Sequence, residues 1–319
     1  MKLRTTLIAM LAVLAGLAMA HAQGYPNKPI RVITANSAGG TSDIFVRALG
    51  EEMQKRLGQP IVVENRSGGG MNIAGRACAE APNDGYNICI LPNEVLTLNE
   101  FTYKSIPYNP KDFEPITNCF INTQVLVVSS ALGVKSLDEL AALSKAKPKT
   151  LSYSVLAIPM QITFENWKKS TGADIVMVPS RGGSDMVTGL LTGTTPIAIV
   201  GLPNFIAHIR SGAVKALAVD SDQRSPLFPG VPTLKELGFP NLAPVYFGFV
   251  APAGTPKDVI RRLSAEIVAI GNDPAFRQKR LIDIGIVPVF DTPEQFGAYI
   301  LSQRANGKKL IEESGFQAR

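Results

Sequence analysis

Two stretches of this chain carry the residue types that hold anions. They read Ser37-Ala-Gly-Gly-Thr-Ser-Asp43 and Asn65-Arg-Ser-Gly-Gly-Gly70. Each follows a β-branched run, Ile30-Arg-Val-Ile-Thr34 or Ile61-Val-Val-Glu64, and each runs straight into a helical pattern. Glycine lets an oxyanion approach backbone N–H groups closely. Hydroxyls add donors without the desolvation cost of a full charge. A helix amino terminus leaves its first N–H groups unpaired at the positive end of the dipole. Loops at the carboxyl ends of adjacent strands point the same way, so two such loops side by side predict an anion cradle.

Catalytic chemistry is much less legible. Only two histidines occur, His21 and His208, and the first lies in the leader. His208 sits on an amphipathic pattern, Phe205-Ile-Ala-His208-Ile-Arg210, where a surface or half-buried role is expected. There is no G-x-S-x-G elbow, H-E-x-x-H pair, Walker loop or complete G-x-G-x-x-G. Gly68-Gly-Gly70 comes nearest to the dinucleotide fingerprint, but its third glycine is displaced. Binding is favoured over catalysis, and neither cofactor nor metal is expected.

The elements that position these loops follow from periodicity. A basic start (Lys2, Arg4), an apolar run over 7–20 and Ala20-His21-Ala22 read as a cleaved export signal, residues 1–22. The mature chain is therefore expected in the periplasm. The precursor's charge of +6 falls to +4 without Lys2 and Arg4, and its basic residues are scattered, so nucleic acid is not implied. Strands are predicted at 30–34, 61–64, 88–91, 125–128, 151–154, 175–178, 197–200, 216–219 and 247–250, with helices between most of them. The alternation predicts α/β architecture with mainly parallel sheets. Nine short strands exceed what one compact sheet needs, so two sheets are expected. Proline and glycine cluster at 106–115 and 226–256, the expected approaches to domain crossings, and from 257 onward the pattern is nearly all helical.

The first helix carries Phe45, Leu49, Met53 and Leu57 on one face, with Thr41, Ser42 or Asp43 able to cap it and Gly58 with Pro60 ending it. Of the three cysteines, Cys78 falls near the end of a helix and Cys89 in the next strand. A bridge between them is open, but buried thiols are the favoured reading.

Further motifs carry a resemblance. Tyr25-Pro-Asn-Lys-Pro-Ile-Arg31, Gly39-Gly-Thr-Ser-Asp43, Gly58-Gln-Pro-Ile-Val-Val-Glu-Asn-Arg66, Pro82-Asn-Asp-Gly-Tyr86, Arg181-Gly-Gly183, Val231-Pro-Thr233 and Gly248-Phe-Val-Ala-Pro-Ala-Gly-Thr-Pro256 occur in order along the mature chain. Together they resemble the Bug family, the TctC-like periplasmic substrate-binding proteins of tripartite tricarboxylate transporters. The resemblance implies a two-lobed, type II periplasmic-binding-protein fold, with lobe one at 24–124 plus 246–319 and lobe two at 125–245. It implies a small-molecule carboxylate as ligand, membrane permease subunits as partners, and a monomer. Carried onto matching positions, the ligand contacts would be Ser37, Gly39, Gly40, Thr41 and Ser42 from the first loop, and Ser67, Gly68, Gly69 and Asn72 from the second. Asp43 would repel a carboxylate that it faced and is read as a helix cap.

Lobe two departs from the family pattern. The loop after 151–154 is apolar, Val155-Leu-Ala-Ile-Pro-Met-Gln161, and lacks the family's histidine; Ile158 and Pro159 are its candidate ligand contacts. Ser180 stands where a tyrosine is common, and Gly201 where an aspartate often ends the strand. Loss of that aspartate argues against an amino acid such as aspartate or glutamate. Arg181 is the candidate partner for a second carboxylate. An apolar wall with few polar groups suits a carboxylate with a substantial apolar body, such as an aromatic mono- or dicarboxylate of the phthalate or terephthalate kind, over citrate. The alternatives are a receptor for an aliphatic di- or tricarboxylate, a ligand sensor docking on a signalling partner, and, last, a periplasmic enzyme.

Overall fold

The computed structural model of the protein describes residues 24–180, 182–239 and 244–318. Residues 1–22, read above as an export signal, and Arg181 lie outside the described residues. Among the described residues, eleven strands form two sheets. One contains β1 (Ile30–Thr34), β2 (Ile61–Asn65), β3 (Asn87–Pro92), β4 (Phe113–Asn122), β10 (Tyr246–Pro252) and β11 (Ile286–Pro288), in the order β11-β4-β10-β3-β1-β2. The other contains β5 (Gln124–Ser129), β6 (Leu151–Val155), β7 (Ile175–Met177), β8 (Ile197–Gly201) and β9 (Val214–Asp220), in the order β7-β6-β8-β5-β9.

Both sheets are mixed, which corrects the expectation of mainly parallel pairing. β1 lies parallel to β2 and β3, and β6 parallel to β7 and β8. β10 runs antiparallel to β3 and β4, β11 to β4, and β5 to β8 and β9. Neither β4 nor β11 was expected. Pro115, Asn118 and Asn122 interrupt the apolar pattern of β4, and antiparallel partners on both edges hold it extended nonetheless, with two register shifts against β10. A single residue, Thr123, separates β4 in one sheet from β5 in the other. The chain returns to the first sheet after β9, between Asp220 and Tyr246.

The helical stripe predicted for the first helix is the buried one. In the helix Thr41–Leu57, Phe45, Leu49, Met53 and Leu57 all pack into the main core, and Gly58 ends the helix in the left-handed conformation. The Phe45 ring meets Phe120 of β4 edge-on, 4.9 Å between centroids. Burying four such side chains contributes on the order of 8 kcal/mol before chain entropy is counted. That anchors the amino end of the helix against the edge of β1. The shorter helix Asn72–Ala79 is held differently. Cys78 and Cys89 are joined in a disulfide between this helix and β3, overturning the buried-thiol reading; only Cys119 remains a free, buried thiol. The eleven-residue separation brings their Cα atoms to 6.1 Å, an ordinary bridging distance.

Candidate functional site

The carboxyl ends of β1 and β3 in one sheet face those of β6 and β8 in the other across a narrow cavity of about 20 Å³. From the first side it is lined by Asn36, Gly40, Thr41, Met71, Glu94 and Phe247; from the second by Gln124, Leu156, Ala157, Gly183, Gly201 and Asn204. Asn122, Val200 and Val245 complete the wall.

The first glycine loop reaches this cavity with its helix end. Three of its donors are used internally: the Gly39 N–H on the Asp43 carboxylate, the Gly40 N–H on the Ser37 carbonyl, and the Ser42 N–H on Asn36 Oδ1. The Thr41 N–H has no acceptor among the described residues, and Thr41, 3% exposed, stands at the cavity wall. Gly40 is the residue before the first helical turn, and no side chain caps that turn. Asp43 lies in the first turn of the helix, buried, and accepts from the Gly39 N–H, Arg47 and Asn65. These donors outweigh the effect of burial and hold its carboxyl below the usual aspartate range. Asp43 therefore orders the loop and is absent from the cavity wall. Ser42 turns inward, its hydroxyl on Thr34 and Asn36.

Two contacts join the first loop to the opposite side. The Ser37 hydroxyl meets that of Ser184 at 2.8 Å, and the Asn204 amide donates to Thr41 Oγ1 at 3.1 Å and to the Gly201 carbonyl at 2.8 Å. Gly201 has a packing reason: a Cβ there would lie 2.4 Å from the Asn122 side chain. An aspartate at this position would require the Asn122 side chain to shift.

The second glycine loop does something else. Gly68, Gly69, Gly70 and Met71 all have positive φ, a run that makes a sharp left-handed bend. Ser67, Gly68 and Gly69 are absent from the cavity lining. The bend instead delivers Met71 to the cavity, at a φ of +69° that is strained for a side-chain-bearing residue. Asn72 is spent on structure, accepting from Asn99 and Tyr108 at 2.8 Å each.

On the second side, Ile158 and Pro159 form the first turn of the helix Ile158–Thr171, and the loop before it is only Leu156 and Ala157. Leu156 and Ala157 line the cavity; Ile158 packs with Ile162 against Ile311 near the chain's carboxyl end. Ser180 is engaged with the Gly182 backbone and faces a separate groove with Ser154 and Asp185. Of the sequence candidates, then, Gly40, Thr41 and Gly201 come together at the cavity, with Ser37 bridging beside them.

The residue that sequence reasoning missed is Glu94. It follows the carboxyl end of β3, in a single wide turn spanning Glu94–Leu98. It is 3% exposed, and neither carboxyl oxygen has a hydrogen-bond partner in another residue. Burial pushes its carboxyl up to about 7. β3 lies beside β1 in parallel, so the rule that placed the two glycine loops would have placed Glu94 at the same edge.

No group of three or more His, Cys, Asp or Glu among the described residues is arranged to hold a metal ion. No helix among them is long and apolar enough to cross a membrane.

Known proteins of this shape sharpen the picture. The family model described as tripartite tricarboxylate transporter family receptor matches residues 45–316. The protein BugT of Bordetella pertussis is 34% identical over 303 residues, 92% of this chain and 91% of that one. A solved structure described as a periplasmic transporter superposes with a TM-score of 0.85 at 33% identity, covering 92% of this chain and 99% of the other. The R. palustris protein Rpa4515, solved with adipate, gives a TM-score of 0.85 at 28% identity, covering 91% of this chain and 98% of the other. The two-sheet α/β architecture is that of a two-lobed periplasmic-binding-protein fold. The chain belongs to the tripartite tricarboxylate transporter receptor family.

Proposed function

We propose that this protein is a non-catalytic periplasmic receptor that captures an organic carboxylate with a substantial apolar body and delivers it to the permease subunits of a tripartite transporter. One observation carries the reading: Gly40 and Thr41, at the amino end of a seventeen-residue helix, open onto a cavity whose other walls are largely apolar. The helix dipole and the unpaired Thr41 N–H suit a carboxylate. Met71, Leu156, Ala157, Val200, Val245 and Phe247 suit a flat or aliphatic body. Phe247 is itself stacked on Phe120, which fixes the plane of its ring. In this reading Ser37, Gly40, Thr41 and Gly201 contribute to the ligand site, and 24–124 with 246–319 closes against 125–245 as two lobes of a monomer. The adipate of Rpa4515, an acid with an apolar middle, accords with it.

The test is native mass spectrometry of protein exported and purified without refolding, followed by thermal-shift titration with benzoate, terephthalate, adipate and citrate. A co-purified acid, and stabilisation by acids with apolar bodies but not by citrate, is the expected result. Strong stabilisation by citrate alone would overturn the apolar-body reading, and turnover of a bound acid would overturn the receptor reading.

A further inference from the structure

Among the described residues that line the cavity, Glu94 is the sole ionisable one. Among the described lining residues, no lysine, arginine or histidine opposes it. Its two oxygens have no partner in another described residue, and the buried Oδ1 of Asn122, which also lines the cavity, has none. Gln124 directs its amide donor to the Asn122 carbonyl. The site thus holds a surplus of acceptors at one side and a helix amino terminus at the other. An unmatched buried acceptor is destabilising, and an unmatched buried carboxylate more so. A dicarboxylate would bring further acceptors to the side that already has too many. A ligand that carries a donor there would satisfy it.

We propose that Glu94 is a specificity-determining residue, and that the site takes an organic acid whose second functional group is a cationic nitrogen, with the carboxylate at Gly40–Thr41 and the nitrogen at Glu94. The inference rests on the carboxylate reading above. It also revises the expectation drawn from Gly201: loss of an acid at that position does not leave the cavity without a counter-ion, because the turn Glu94–Leu98 after β3 supplies one from the other side.

The surroundings leave Glu94 to the ligand. Tyr246 on β10 and Tyr108 are phenols that burial pushes further up, so both stay neutral. Tyr299 on the helix Pro293–Ser314 is raised likewise, and Arg304 on that helix is paired with Glu100. Asp112, in the turn Pro110–Asp112, accepts from the Asn109 N–H, and its neighbour Lys111 is exposed. β3 and the turn Gly69–Met71 carry no ionisable side chain. An ammonium draws Glu94 into its ionised form, so its affinity should rise as pH increases from 5.5 to 8. A dicarboxylate would need Glu94 protonated and would show the opposite slope.

Calorimetric titration with 6-aminohexanoate, adipate and hexylamine separates the possibilities, since the three differ only at their ends. The wild-type protein should bind 6-aminohexanoate at least tenfold more tightly than either of the others. Glu94→Gln should lose at least tenfold of that affinity and its pH slope, with the thermal transition retained. The wild-type pH series stands by itself if the variant folds poorly. Tighter binding of adipate, with affinity kept or gained in Glu94→Gln, overturns the assignment of Glu94 and leaves the carboxylate reading intact. Equal binding of hexylamine and 6-aminohexanoate overturns the carboxylate reading instead. Failure of all three to bind overturns the inference.

Discussion

The two glycine loops are near copies in sequence and opposites in use. Ser37–Asp43 keeps Gly39 off the cavity wall and presents a helix end, Gly40 and Thr41, to the cavity. Asn65–Gly70 spends its glycines on a left-handed bend and presents only Met71. Their helices differ as well. The first is fastened by an apolar stripe, the second, eight residues long, by the Cys78–Cys89 bridge. Glycine in such a phrase reports a backbone requirement; whether that requirement is set by a ligand or by a bend depends on what lies across the loop.

The contrast can be broken at its anchors first. Phe45→Ala, which removes the centre of the aromatic contact with Phe120, should destabilise by about 4 kcal/mol, read from chemical denaturation. Replacing Cys78 and Cys89 together by alanine should lose about 3 kcal/mol for a loop of this length, and reduction of the wild-type protein should reproduce most of that loss. At the site, Thr41→Val should weaken acid binding about tenfold, since it removes the hydroxyl that ties Asn204 across the cavity. Ser67→Ala should change affinity less than twofold in the same titration; a loss equal to that of Thr41→Val would mean that both loops grip the ligand. The smallest effect is one of slope. Burial raises the Glu94 carboxyl, so the folded state favours the protonated form, and this contribution to stability is full below the unfolded value near 4.5 and fades as pH rises through about 7. The stability of Glu94→Gln relative to wild type should therefore increase from pH 5 to pH 8 in thermal unfolding. Asp220, also raised to about 7 by burial, titrates in both proteins and cancels in the difference.

Much of the framework was legible because it rests on local pattern. β1 and the helix Thr41–Leu57 bury the residues that their periodicity marks, β2 forms where expected but stays half-buried, and the left-handed Gly58 ends the helix where expected. β4 was not legible, because its stability comes from partners distant in sequence rather than from its own alternation. Thr41 could be found from its loop chemistry. Glu94 could not be found from composition, since an acid amid Ile90, Leu91, Val95 and Leu96 reads as a surface break until the fold encloses it. Ile158 is off the cavity wall for the converse reason: an apolar residue near a site is also what a helix needs to pack on its neighbour, and here Ile158 packs with Ile311.

The single-residue passage from β4 to β5 has a mechanical meaning. One residue supplies about 3.5 Å of chain, so the two sheets cannot be drawn apart along that tether without peeling a strand from its neighbours. Rotation is not restricted in this way, since a pair of backbone torsions at Thr123 needs no added chain to turn one sheet relative to the other. The cost of such a turn falls on the bond by which the Thr123 carbonyl accepts from the Leu202 N–H, whereas the cost of separation falls on a whole strand.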